Sequence, residues 1–342
     1  MQVAARTTVV TGARPADLRL DELMAAQRPT VFKGMADDWP LVRLGRQSPG
    51  AVMAELKRHD SGRPVVGYAG DPEIGGRFFY DAALTGLNFR AERVGLGAYL
   101  DRIAEGLERA DGPSLYIGST DIDTYLPGLR AENDLGLAPE AFGEEPPLVS
   151  IWIGNRTVAC AHYDMSNNIA CCVAGRRRFT LFPPDQVANL YPGPLEPTPG
   201  GQVVSLVDFR QPDFERFPRA REALAAAEVG ELDPGDVLIY PALWWHQVEA
   251  LEPFNVLVNY WWNTSPAFMD TPQTTLLHAL LSLRDRPEHE KAGWKALFDY
   301  YVFGPAGQAG AHLPPGARGD LGPLEERRAR ALRANVLNRL NR

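Results

Sequence analysis

In the stretch AHYDMSNNIACCVAGRRRFTLFPP, Ala161 to Pro184, a histidine and an aspartate stand two residues apart. Residues i and i+2 of a strand share a face, so His162 and Asp164 can offer an imidazole nitrogen and a carboxylate oxygen to one point. A metal held in this way needs a third ligand from a facing strand. Of the six histidines, His59, His278 and His289 fall in helical segments or at their ends, and His312 falls in a Gly/Pro-rich stretch. Only His246 follows a barrel-like strand. In GDVLIYPALWWHQVEAL a Gly-Asp turn leads into an apolar run, a bend, and a histidine that opens the next strand. Two histidines and one carboxylate on a triangular face leave three positions open, which suits non-haem Fe(II) handling dioxygen and a co-substrate. Taken alone, H-x-D more often marks a structural His/Asp pair, and the His246 context is what shifts the balance.

Three arginines follow the same apolar strand. Alternation puts Arg177, Phe179 and Leu181 on one face and Arg176, Arg178 and Thr180 on the other. The lysines are Lys33, Lys57, Lys291 and Lys295, so none lies in the strand-rich middle of the chain. A cation that anchors an acid there is therefore an arginine. For Arg176 and Arg178 a solvated strand charge is the simpler reading. Arg177, on the inward face, is the natural anchor.

The elements that must position these residues can be read from periodicity. Residues 1–145 give mixed elements. A short helix lies near DLRLDELMAAQ, a strand at VFKG, a helix over 48–60 and two strands at RPVVGYAG and GRFFYD. VGLGAYLDRIAEGLERA (94–110) reads as an amphipathic helix carrying Leu96, Tyr99, Leu100, Ile103 and Leu107, and SLYIGST as a strand. From 146 to 265 the pattern is strand, turn, strand: PLVSIWIGN, NNIACCVAG, RRRFTLFPP, GDVLIYPA and FNVLVNYWW, an antiparallel sandwich or barrel. Residues 266–304 read as a helix pair rich in Leu, Trp, Phe and Tyr. Residues 305–342 read as a flexible linker and an Arg-rich terminal helix with Leu332, Val336 and Leu340 four apart.

Composition narrows the function classes. The chain has 342 residues, 45% apolar and 23% charged, with a net charge of −8. That is globular composition, and it makes nucleic acid an unlikely partner because no basic surface dominates. Cys160, Cys171 and Cys172 do not form a secreted disulfide framework. Neighbouring strand residues point to opposite faces, so Cys171 and Cys172 read as small apolar fillers. The first residues lack a signal-peptide pattern and no apolar run reaches membrane-spanning length. A reducing cytoplasm and no membrane partner are expected.

In motif and order the chain resembles the JmjC/cupin-like 2-oxoglutarate-dependent oxygenases, in particular the asparaginyl hydroxylase that inhibits hypoxia-inducible factor and the wybutosine-tRNA hydroxylase group. The resembling segments are RPTVFKGMADDWP, LYIGS, HYDMSNNIACCVAGRRRFTLFPP, LYPGP, PDFERFP and GDVLIYPALWWHQVEAL with NVLVNYWW, over about residues 28–265. The resemblance implies a mainly β fold with flanking helices, a double-stranded β-helix of cupin or jelly-roll type. It makes His162, Asp164 and His246 the ligands of Fe(II), with 2-oxoglutarate and dioxygen as co-substrates. The family's lysine that pairs with the distal carboxylate of 2-oxoglutarate lies fifteen residues after the first ligand, and here that position is Arg177. Tyr116 matches a tyrosine bonding the same carboxylate, although a core tyrosine fits the position as well. A threonine expected three residues before the first ligand is Ala159, with Thr157 beside it. Asn168 and Asn259 match asparagines lining the pocket, or cap turns, and Trp261 matches a pocket wall. Relatives dimerise through C-terminal helices, so a homodimer through the pair at 272–304 is expected.

The implied activity is an Fe(II)- and 2-oxoglutarate-dependent hydroxylase acting on a protein, peptide or small molecule that the sequence does not name. The departures at Arg177 and Ala159 leave an alternative open. It is a cupin-type metalloprotein that does not use 2-oxoglutarate, either another metalloenzyme or a small-molecule sensor.

Overall fold

A computed structural model describes residues 5–109 and 111–341 of the chain. The chain divides into two units, Met1–Asn263 and Thr264–Arg342. Fifteen strands run through the first: β1 (Ala5–Arg6), β2 (Thr8–Thr11), β3 (Thr30–Lys33), β4 (Val65–Gly70), β5 (Arg77–Phe78), β6 (Phe89–Val94), β7 (Ser114–Asp121), β8 (Leu148–Gly154), β9 (Val158–Tyr163), β10 (Asn167–Ala174), β11 (Arg177–Phe182), β12 (Glu228–Leu232), β13 (Val237–Tyr240), β14 (Trp245–Ala250) and β15 (Asn255–Trp262).

They form two sheets. One has six strands in the order β1-β12-β11-β14-β9-β5, and the other nine in the order β2-β3-β13-β10-β15-β8-β7-β4-β6. The strands before residue 146 extend both sheets, so they share layers with the strands of the central barrel.

The eight residues of β10 are all buried, because both faces of this strand are covered. Ile169, Cys171 and Val173 pack in a core with Leu41, Val42 and Leu56 from the helices Pro40–Gln47 and Pro49–Arg58. Ala170 and Cys172 point the other way, against Phe179, Leu181 and Leu232 of the facing sheet. Alternation thus separates the two neighbouring cysteines, and all three cysteines are free and buried. Burying a side chain of Leu or Phe size contributes about 1.5–3 kcal/mol, so these two layers fix which face of each strand looks into the barrel.

Several sequence expectations change in detail. The amphipathic helix spans Leu96–Glu105, with Leu96, Tyr99, Leu100 and Ile103 buried, and it stops where Gly106 follows. GRFFYD yields only the two-residue strand Arg77–Phe78. It pairs in parallel with β9 and lies in a different sheet from β4. EVGEL, too polar to stand out, becomes β12 because Arg177–Leu181 supply its ladder partners.

In the second unit, helices span Pro272–Ser282, Glu288–Phe298 and Glu326–Leu340. The intervening stretch contains short 3-10 turns at Pro315–Ala317 and Gly319–Leu321 rather than plain coil. The terminal stripe does not find a core: Ala329 is buried, whereas Val336 and Leu340 are 46% and 47% exposed. Among the described residues no helix is long and apolar enough to cross a membrane.

Candidate active site

The register brings the three metal-ligand candidates to one place. His246 on β14 lies directly opposite His162 on β9, with ring centroids 4.3 Å apart. Asp164 follows β9 by one residue. Its Oδ1 is 4.0 Å from Nε2 of His162, and its Oδ2 is 3.6 Å from Nε2 of His246. One donor atom from each of the three residues falls within 4.8 Å of the others.

Both rings are oriented by the backbone. Nδ1 of His162 meets the Cys160 carbonyl at 2.8 Å, and Nδ1 of His246 meets the Trp244 carbonyl at 3.0 Å. A carbonyl only accepts, so each Nδ1 carries the proton and each Nε2 presents its lone pair to the centre. Burial, with the neighbouring His162, lowers the pKa of His246 to about 4, so this ring is neutral at physiological pH.

The turn that delivers His246 is stapled to the aspartate. The Leu243 N–H donates to the Asp164 carbonyl at 2.9 Å, and the Ala242 N–H donates to Asn167 Oδ1 at 3.0 Å. Leu243 adopts a left-handed φ of 67°, a strained conformation for leucine.

The three arginines separate as alternation requires. Arg176 pairs with Glu252 at 2.9 Å and Arg178 with Glu231 at 2.9 Å, both on the surface. Arg177 is 3% exposed. It lies on the face of Leu181, which pairs across the ladder with His246, so guanidinium and ligand histidines enter the same barrel interior. Gly175, at φ 72°, makes the turn that sets this register. A Cβ there would meet Asn255 Oδ1 at 2.3 Å.

Nε and Nη2 of Arg177 are buried and have no hydrogen-bond partner among the described residues. The Tyr116 hydroxyl lies beside the guanidinium. Burial raises its pKa to about 12, against the opposing charge and hydrogen bond of Arg177. Tyr116 on β7 pairs with Gly154 on β8, where a Cβ would meet its ring at 2.8 Å, so only glycine admits the tyrosine in this pose.

A cavity of about 650 Å³ opens onto His162 and Asp164. Its inner wall includes Tyr116, Thr157, Ala159, Trp152 and Trp261. The rings form a connected series: Tyr68–Phe89, Phe89–Phe78, Phe78–Tyr116, Tyr116–Trp152 and Trp152–Trp261, with centroids 5.1–6.1 Å apart. Asn168 and Asn259 lie within β10 and β15, 3% and 2% exposed, and are not among the residues lining the cavity, contrary to the expectation; Asn168 donates to Asp164 Oδ2 at 3.2 Å. Trp152, which donates to Asn259 Oδ1 at 2.6 Å, was not apparent in the sequence. Its alternation with Ser150 and Gly154 marks it as inward-facing, but its partner depends on the β8–β15 register.

The donor set fits a divalent iron: two imidazole nitrogens and a carboxylate on one side, with the cavity on the other. The buried, partnerless guanidinium atoms fit the carboxylate of a bound acid.

A His–Asp–His cluster inside a double-stranded β-helix defines a class of metal-dependent oxygenase scaffolds. The chain belongs to the cupin-like domain family, whose model matches residues 15–268. It is 33% identical over 165 residues to HSPB1-associated protein 1 of Homo sapiens, covering 47% of this chain and 32% of that protein. With the HSPB1-associated protein 1 homolog of Danio rerio it is 37% identical over 255 residues, 69% of this chain and 52% of that one. With the lysine-specific demethylase JMJ31 of Arabidopsis thaliana it is 31% identical over 129 residues, 36% and 23% of the two chains. The chain thus spans about half or less of the length of these relatives. JmjC members of the family are 2-oxoglutarate-dependent oxygenases that use Fe(II), and His162, Asp164 and His246 form the matching site here.

Proposed function

We propose that this chain is a hydroxylase that acts on an uncharged group of its substrate. The observation that carries this reading is the charge of the cavity. Asp164, itself a metal-ligand candidate, is the one carboxylate among the lining residues, and no lysine or arginine lines it. A neutral apolar group meets the aromatic wall and leaves no charge unpaired, whereas a methylated ammonium would have only the faces of the rings, by cation–π contact, and no free carboxylate. The reading therefore parts from lysine demethylation, the activity in the name of the JMJ31 relative.

His162, Asp164 and His246 hold the metal, and Fe(II) with 2-oxoglutarate supplies oxidation of a C–H bond by dioxygen, releasing succinate and carbon dioxide. Arg177 does not line the cavity, but it lies beside Tyr116, which does, and the two anchor the distal carboxylate of the co-substrate: the guanidinium brings the charge and the phenol a hydrogen bond. Thr157 lies on the wall beside them, 5% exposed, where the Ala159 side chain offers no hydroxyl. The rings from Tyr68 to Trp261 exclude water from the reacting group.

The test is turnover against paired peptide sets, one with neutral aromatic and aliphatic side chains and one with methylated lysines. Succinate formed together with a product heavier by one oxygen supports hydroxylation. Formaldehyde release from the methyl-lysine set identifies a demethylase. An absence of 2-oxoglutarate binding to the iron-loaded protein returns the chain to the metalloproteins that do not use this acid.

We also propose a homodimer formed through the C-terminal unit. It leaves Leu281, Val302 and Phe303 78%, 58% and 75% exposed, and the helix Pro272–Ser282 buries none of its residues. Surface of this kind marks association. The three buried free cysteines accord with a reducing, cytoplasmic location.

A further inference from the structure

Four side chains on four segments form a hydrogen-bonded chain that ends on the metal-site carboxylate. The Trp152 indole on β8 donates to Asn259 Oδ1 on β15 at 2.6 Å. Asn259 Nδ2 donates to Asn168 Oδ1 on β10 at 3.5 Å. Asn168 Nδ2 donates to Asp164 Oδ2 at 3.2 Å. Both amides are almost wholly buried.

The direction of this chain is fixed at both ends, because the Asp164 carboxylate only accepts and the indole only donates. An asparagine amide has two orientations of similar shape, and either end can point at a neighbour. An indole N–H can only donate. It therefore takes the oxygen of Asn259, which turns the Asn259 NH2 toward Asn168. That NH2 takes the Asn168 oxygen, which turns the second NH2 toward Asp164. Without the indole, the Asn259 oxygen loses its donor and that amide is free to turn or shift, which leaves Asn168 held by Asp164 alone.

We propose that Trp152 is a positioning residue for the metal site. By holding the Asn259 amide, and through it Asn168, it supports Asp164 in its ligating pose. Groups that orient a metal ligand from behind commonly change metal affinity or activity by about 10–100-fold when removed. Trp152 also lines the cavity and stacks on Tyr116, so the residue that sets the amides is in contact with the space the substrate occupies. Trp261 provides an internal comparison. It lies against Trp152 at 5.5 Å and lines the same cavity, but its indole N–H is buried without a partner.

The experiment measures metal binding without turnover, using Co(II) as a spectroscopic stand-in for Fe(II) on the full chain. Trp152→Phe keeps a ring in the wall and removes the donor. It is expected to weaken Co(II) about tenfold or more and to alter the Co(II) d–d spectrum. Asn259→Leu breaks the next link and is expected to give the same spectrum. The double variant is expected to be no worse than either single one, since all three disable one chain. Trp261→Phe is expected to leave Co(II) affinity unchanged. Circular dichroism and thermal melting establish that each variant is folded, and Asn259→Leu decides the matter if Trp152→Phe is not. Co(II) affinity within twofold of wild type in a folded Trp152→Phe protein would overturn the proposal. So would equal losses in Trp152→Phe and Trp261→Phe, which would mean loss of packing rather than of a directed hydrogen bond.

Discussion

Replacing Arg177 by methionine removes a buried guanidinium while keeping most of the volume of its stem. Two effects follow from its surroundings. In the free protein, Arg177 is 3% exposed and its Nε and Nη2 have no partner. A buried charge with two unpaired N–H groups is costly, so its removal, offset by the hydrogen bond lost to Tyr116, leaves the free protein about equally stable. In the complex with 2-oxoglutarate the same charge meets a carboxylate. Breaking one partner out of a buried ion pair costs about 3–5 kcal/mol. At about 1.4 kcal/mol per tenfold, the co-substrate should bind between a hundredfold and a few thousandfold more weakly. Thermal melting in the presence of Fe(II), without oxygen, reads both effects. At a concentration of about 100 times Kd, 2-oxoglutarate stabilises the wild type by roughly 2.7 kcal/mol. A hundredfold weaker variant retains only about 0.4 kcal/mol at that concentration. Arg177→Lys should lie between, since the ammonium keeps the charge but loses the planar fork. Arg176→Ala and Arg178→Ala should cost at most about 1 kcal/mol of stability, because their ion pairs are exposed, and should leave the co-substrate constant unchanged. The reasoning is refuted if Arg177→Met melts several degrees lower in the free state and yet binds 2-oxoglutarate normally. The guanidinium would then serve packing.

Three further outcomes are expected. Asp164→Ala should abolish Fe(II)-dependent succinate release while leaving the melting temperature of the metal-free protein within a few degrees of wild type, and undiminished turnover would dissolve the metal site. The metal-free protein should lose stability as pH falls from about 6.5 to about 4, by at most about 1.4 kcal/mol per pH unit from His246. Burial depresses this histidine, so over that window the unfolded chain binds a proton that the folded chain refuses. Urea midpoints should show a flatter dependence in His246→Gln, and parallel curves for the two proteins would contradict this origin. Light scattering at micromolar concentration should give a dimer, and Phe303→Asp with Leu281→Asp should give a monomer. A monomeric wild type would reject association through this surface.

What could be read from the sequence was set by periodicity. His162 and Asp164 needed only i, i+2 spacing, and His246 needed only its place after an apolar run. The division of the arginines followed from alternation alone, because β11 is a regular strand with one covered face. The cysteines were separable on the same ground. Features that depend on pairing were not legible. EVGEL carries two glutamates in five residues, and it is a strand because β11 needs a neighbour. GRFFYD shrank to two paired residues because only Arg77 and Phe78 reach the edge of β9. Asn168 and Asn259 carry no local sign that they are bonded to each other, since 91 residues separate them in the chain.

The same distinction explains how the site combines an exact centre with an altered anchor. The two histidines are held by local backbone geometry, a carbonyl two residues before each. These contacts do not depend on what fills the far end of the barrel. Arg177, the proposed anchor, stands four residues along β11 from Leu181, the ladder partner of His246, so it can be exchanged without moving the histidine pair. Accommodating the longer cation calls for space and a companion at that end. The companion is the Tyr116 hydroxyl, and its ring lies across β8 only because Gly154 has no side chain. An alanine at 154 would push the ring toward the guanidinium while leaving the two histidines in register. The barrel therefore separates holding the two histidines from choosing the acid, and that separation is what lets an arginine stand where the resembling family places a lysine.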